Sequence, residues 1–197
     1  FPGPLFLAVA PVEIEWLHRE TLAAESRAND SIGYDDMLRA TASGRFAAIH
    51  ERCVFGSVAE HLADRFGTQG SPISLSTACA SGASAIQLGI EAIRRGETDA
   101  ALCVGTDGSV NPEALIRFSL LSALSTSNDP PEQAAKPFAK NRDGFIMAEG
   151  AAALVLESYD SAKARGAKIL GVVEGVGEMR SEEHTSELQS HVRISYA

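Results

Sequence analysis

The most constraining part of the sequence is a strand–helix–strand succession near its middle. Pro72-Ile73-Ser74-Leu75-Ser76 is strand-like. The segment from Ala78 to Arg95 carries Ala83, Ile86, Leu88, Ile90 and Ile93 over much of a helical circumference. Asp99 to Gly105, D-A-A-L-C-V-G, is a nearly continuous apolar run, as a strand buried on both faces requires. A helix joining two such strands predicts an α/β chain with a layered sheet. Arg94 and Arg95 suit the negative end of the helix dipole, and Gly96 ends the helix. Gly82 and Gly89 weaken the segment as a helix, so close packing against another element is expected of them.

The alternation continues on both sides. The uneven apolar positions between Pro11 and Leu22 lead into a helix, and Tyr34 to Ala42 reads as a short amphipathic helix. Arg45 to Phe66 is expected to form one helix despite Gly56. Ile49, Cys53, Val54, Val58, Leu62 and Phe66 would share its buried face, with Gly67 just past its end. A further helix is expected around Pro112 to Ser122, then a loop from Ser125 to Pro137. Gly150 to Glu157 becomes strand-like at its end. Tyr159 to Arg165 is a polar helix stopped by Gly166, and Ile169 to Val176 is the last strand.

Composition narrows the function classes. Apolar residues make up 45% and charged residues 22% of 197, ordinary for a globular chain. A net charge of −9 argues against non-specific nucleic-acid binding. No apolar run is long enough to span a bilayer. The run Phe1 to Pro11 is broken by prolines and lacks a basic start, so it makes a poor signal peptide. Cys53, Cys79 and Cys103 are too widely spaced for a disulfide framework or a zinc site, which fits a reducing, cytoplasmic setting. Walker, dinucleotide, H-E-x-x-H and G-x-S-x-G motifs are absent, and no metal or organic cofactor is implied.

Cys79 stands out by position. It falls between the strand and the helix, in S-T-A-C-A-S-G-A (76–83). A thiolate is the reactive form of cysteine, and a helix N-terminus supports it while offering N–H donors to an oxyanion. Buried free cysteines are common, and by pattern alone the same residue also reads as a small buried side chain between two elements. Cys103 within the apolar strand and Cys53 on the helical face read as core packing. His50 and His61 sit in a helical stretch of ordinary composition, and His18, beside Trp16 and Arg19, carries no signal.

Read together, S-T-A-C-A-S-G-A (76–83), L-S-T-S-N-D (124–129), K-P-F-A-K-N-R-D-G-F-I-M-A-E-G-A (136–151) and A-R-G-A-K-I (164–169) resemble the β-ketoacyl-acyl carrier protein synthases, the elongating condensing enzymes. The likeness runs from about Phe55 to Met179. It implies a thiolase-like fold of α/β/α/β/α layers, of which residues 1–168 would be most of the N-terminal half, lacking its opening strand and helix. Residues 169–179 would begin the C-terminal half. The resemblance makes Cys79 the nucleophile that takes an acyl chain from acyl carrier protein. It places Phe118 and Phe145 along the acyl channel, and Asp129, Lys136, Arg142, Asp143 and Glu149 in a structural salt-bridge network. It further implies a homodimer joined across the strand Ile73 to Ser76. The family's two histidines and lysine, which promote malonyl decarboxylation, would lie beyond Met179; His184 and His191 match neither histidine motif. These residues alone are therefore not expected to condense. An acidic carrier protein needs a local basic patch, for which Arg45, Arg52 and Arg117 are weak candidates. A polyketide-type ketosynthase, or a silent homologue that sets chain length or scaffolds a partner, would share the fold; the cysteine argues against the silent one.

Residues 180–197 read differently. R-S-E-E-H-T-S-E-L-Q-S matches the in-frame translation of a common sequencing adapter, so 180–197 is expected to be a non-native tail and is left out of the fold reading.

Overall fold

The core is built on a strand that the prolines of the first eleven residues concealed. The computed structural model describes residues 1–11, 13–26, 33–178 and 190–195. In it, Leu5–Val9 forms β1, with all five residues buried. A strand covered on both faces shows no alternation, so its pattern carries no period to read. β1 pairs in parallel with β2 (Ile73–Leu75), Phe6 opposite Ile73 and Ala8 opposite Leu75. With β3 (Ala100–Asp107) and β4 (Gly150–Glu157) they form one sheet in the order β2-β1-β3-β4. The Leu102 N–H donates to the Pro4 carbonyl at 2.9 Å, fastening β3 beside the start of β1.

Successive residues of β1 and β3 alternate between two cores. Phe6, Ala8, Ala101 and Cys103 pack with Ala85 and Ala92 of α5 (Ser81–Arg94). Leu5, Leu7, Val9 and Leu102 pack with Ala59, Val58 and Leu62 of α4 (Ser57–Phe66). Leu5 and Leu7 are fully buried, each contributing about 1.5–3 kcal/mol of apolar transfer. The sheet is thus a filled layer between helices, as the strand–helix–strand reading predicted.

The expected single helix over Arg45–Phe66 is two, α3 (Ala47–Cys53) and α4. Val54 has extended backbone (φ −80°, ψ 128°) and Gly56 precedes α4, so the chain turns between them. Val54 is consequently exposed, and Cys53 is only half-buried. Gly67 does end α4, in the left-handed region at φ 60°. α1 (Trp16–Ser26) and α2 (Tyr34–Ala42) precede them. The α2 start is fixed by the Asp36 carboxylate, which accepts the Gly33 N–H at 3.2 Å.

By internal packing the chain forms two units, Phe1–Gly105 with Ala152–Ala197, and Thr106–Ala151. The second contains α6 (Pro112–Leu120), capped by Asn111, whose side chain accepts the Ala114 N–H. In the first, α7 (Tyr159–Ala164) is capped by Ser158. The last predicted strand lies three residues later at its start, as β5 (Val172–Glu178). It forms an antiparallel ribbon with β6 (Ser190–Ser195), Val176 opposite Val192. Among the described residues, no helix is long and apolar enough to cross a membrane.

Candidate functional site

The turn between β2 and α5 is built by small residues and hydroxyls. After Leu75, Ser76 and Thr77 lead into one 3-10 turn, Ala78–Ala80, and α5 begins at Ser81. The helix expected from Ala78 therefore starts three residues later. Ala78 is the cause: its φ of +54° is left-handed, and a right-handed helix cannot run through it. Cys79 occupies the middle of this turn and is exposed. Cys79 lies two residues ahead of the first residue of α5, and no side chain caps that terminus. The positive end of a helix of fourteen residues offers partial charge to an oxyanion formed nearby.

Three hydroxyls hold the turn. Ser81 Oγ accepts the Thr77 N–H at 2.9 Å and donates to the Ala78 carbonyl at 2.6 Å. Thr77 Oγ1 and Ser84 Oγ lie 2.8 Å apart, and Ser84 Oγ also donates to the Ala80 carbonyl at 3.1 Å. The sequence reading missed these residues. Their spacing at positions 77, 81 and 84 was the available signal, because i, i+4 and i+7 share a helical face.

The other two cysteines differ. Cys103 is 3% exposed on β3, and burial pushes its thiol from 9.0 up to about 12, partly offset by a backbone hydrogen bond at Gly89. Cys53 ends α3. Gly89 has the close packing expected of it, for a β-carbon there would stand 2.5 Å from Cys103 Sγ; Gly82 has open space instead.

Phe118 and Phe145 lie in the unit Thr106–Ala151 and are brought together there. Their rings meet edge to face, centroids 5.4 Å apart at 84°. Phe118 belongs to α6, and Phe145 is pinned by its N–H to the Ala123 carbonyl and its carbonyl to the Ser125 N–H, both at 3.0 Å. Of the five residues assigned to a salt-bridge network, Lys136 and Asp143 form an ion pair ringed by hydroxyls. Lys136 Nζ lies 3.2 Å from Asp143, which also accepts from Ser127 at 2.7 Å and Ser125 at 3.1 Å. The Ser127 hydroxyl above all, then Lys136, holds the Asp143 carboxyl down at about 2. Glu149 accepts the Val110 N–H at 3.0 Å, and Arg142 donates to the Ala139 carbonyl at 3.0 Å.

Of the basic candidates, Arg45 pairs with Glu25, and Arg117 pairs with Glu113 at 2.6 Å, so neither is a bare charge; Arg52 is exposed on α3. His18, His50 and His61 lie on α1, α3 and α4. Among the described residues no group of three or more His, Cys, Asp or Glu is arranged to hold a metal ion.

Residues 24–162 match the profile described as "Beta-ketoacyl synthase, N-terminal domain". The chain is 40% identical over 124 residues to 3-oxoacyl-[acyl-carrier-protein] synthase 2 of Vibrio cholerae, covering 63% of this chain and 30% of that protein. It is 36% identical over 133 residues to the tetracenomycin polyketide synthase ketoacyl synthase alpha subunit of Streptomyces glaucescens, covering 68% of this chain and 31% of that one. The chain thus spans about a third of the length of the curated relatives it matches. Among solved structures, a β-ketoacyl synthase from Burkholderia phymatum superposes with TM-score 0.67 at 28% identity, covering 94% of this chain and 42% of that one. A type II polyketide ketosynthase, solved with its acyl-carrier protein and bound to a hexaketide, gives TM-score 0.66 at 30% identity over 90% of this chain and 42% of that one. The fold is that of part of a thiolase-like ketosynthase.

Proposed function

The chain belongs to the beta-ketoacyl synthase family, and from that membership we propose that it carries the acylation half of a decarboxylative Claisen condensation in fatty acid synthesis. Cys79 is the nucleophile. Its sulfur attacks the thioester carbonyl of an acyl chain on acyl carrier protein. A new C–S bond forms, and the carrier's thiol leaves with the proton. In the second half, the C–CO2 bond of a malonyl thioester breaks and carbon dioxide departs. The electron pair left behind attacks the acyl carbonyl, forming a C–C bond and releasing the Cys79 sulfur. The observation carrying this reading is the exposed cysteine on a braced turn one step ahead of α5.

Phe118 and Phe145 are assigned to the acyl chain: both are part-exposed aromatics, 37% and 43%, on one apolar patch. The partner is an acyl carrier protein. The homodimer is assigned to β2, which lies at an edge of its sheet with Ile73 exposed. Residues 1–168 are assigned to most of the N-terminal half, 169–179 to the start of the second, and 180–197 to an adapter-derived tail. Expressed alone, these 197 residues accept an acyl group without condensing it.

The test is labelling with iodoacetamide or cerulenin followed by peptide mass spectrometry. Cys79 is marked before Cys53 and Cys103; equal marking of all three refutes an activated nucleophile. A polyketide-type ketosynthase is the second reading, favoured by the 36% identity to the tetracenomycin subunit. Genomic DNA continuing past Met179 tests both the second-half histidines and the tail.

A further inference from the structure

We infer that Ser81 is a positioning residue for Cys79, acting through Ala78; this rests on the reading of Cys79 as the acylated nucleophile. The chain spends conformational energy at a single point in this turn. Ala78 adopts φ +54°, a region that an L-residue with a β-carbon enters only when its surroundings compel it. One hydroxyl supplies that compulsion. Ser81 Oγ takes the N–H in front of Ala78, at Thr77, and gives its proton to the carbonyl of Ala78 itself. The backbone on both sides of the strained φ is therefore tied to one atom. The Ser81 N–H also reaches the Ala78 carbonyl, so the clamp is anchored in the first residue of α5. The next residue after the strained one is Cys79. Loosening Ala78 lets the turn relax toward right-handed geometry and carries the sulfur away from its exposed place. Ser84, hydrogen-bonded to Thr77 Oγ1, holds the side chain rather than the strained peptide.

The experiment measures the iodoacetamide rate at Cys79 relative to Cys53 in the full chain, by peptide mass spectrometry, with the thermal midpoint recorded for each variant. Ser81→Ala should lower the Cys79 to Cys53 ratio by up to about tenfold, the scale of one lost hydrogen bond holding the turn. Ser81→Thr, which keeps the hydroxyl, should restore it. In an Ala78→Gly background the left-handed φ needs no clamp, so adding Ser81→Ala should change the ratio less than about twofold. That double variant also answers the question if Ser81→Ala alone does not fold. A wild-type chain with no preference for Cys79 removes the nucleophile and the clamp together. A selective wild type whose ratio survives Ser81→Ala removes the clamp alone. An undiminished loss in the Ala78→Gly background shows that Ser81 does not act through Ala78.

Discussion

Gly89 of α5 and Cys103 of β3 meet so closely that a β-carbon at position 89 would stand 2.5 Å from the sulfur, 3.2 Å from Leu156 Cδ1 and 3.3 Å from Ala101 Cβ. The helix that follows the candidate nucleophile is thus seated on the sheet by the absence of one side chain. Gly89→Ala gains helix propensity but overpacks this contact, and should destabilise the chain by roughly 1–3 kcal/mol. Urea unfolding measures it. Cys103→Ala in the same chain should recover much of the loss, because it removes the atom that the new methyl strikes.

Cys103 should resist alkylation in the folded chain while Cys79 reacts. Its thiol is raised from 9.0 to about 12 by burial. The neutral form is the one the fold favours, so its contribution is complete below about 9 and is lost as pH rises toward 12. Unfolding free energy between pH 8 and 11 should fall less steeply in Cys103→Ala than in the parent chain.

Asp143 has the opposite sign. Its carboxyl is held at about 2, below its ordinary 3.8, first by the Ser127 hydroxyl and then by Lys136. The ionised form is favoured, so loop ordering is complete above about 4 and is lost as pH falls toward 2. Asp143→Asn should flatten that acid dependence. Hydrogen exchange at the Ser125 amide, which bonds the Phe145 carbonyl, should rise roughly three- to fivefold at pH 5, as suits an exposed pair.

The Phe118–Phe145 contact should show coupling. Removing either ring deletes the edge-to-face pair, so the two alanine substitutions should be sub-additive by about 0.5–1.5 kcal/mol in a double-mutant cycle. The acyl-channel role proposed for them further predicts that the substitutions alter the chain-length preference of acylation.

Much of this fold is legible in the sequence where a period meets a terminator. Tyr34–Ala42 has both, and its bounds are those predicted; so does α4 at Gly67. β1 was hidden because burial on both faces erases alternation, and Pro2, Pro4 and Pro11 disguise its ends. The break at Val54–Gly56 was hidden because apolar residues near a 3.6 spacing run through it, while the extended Val54 that ends α3 leaves no period of its own. At the site, Cys79 was legible from its place between two elements. Ser81 was not: its role depends on a left-handed φ at an alanine, which no propensity signals.

The most direct measurement is acyl transfer itself. The full chain is incubated with an acyl thioester of acyl carrier protein, digested, and its cysteine peptides weighed. The account predicts an acyl adduct on the Cys79 peptide, abolished by Cys79→Ala, with Cys53 and Cys103 unmodified. No adduct on Cys79 from a folded chain, or an equal adduct on Cys53 that persists in Cys79→Ala, would contradict it.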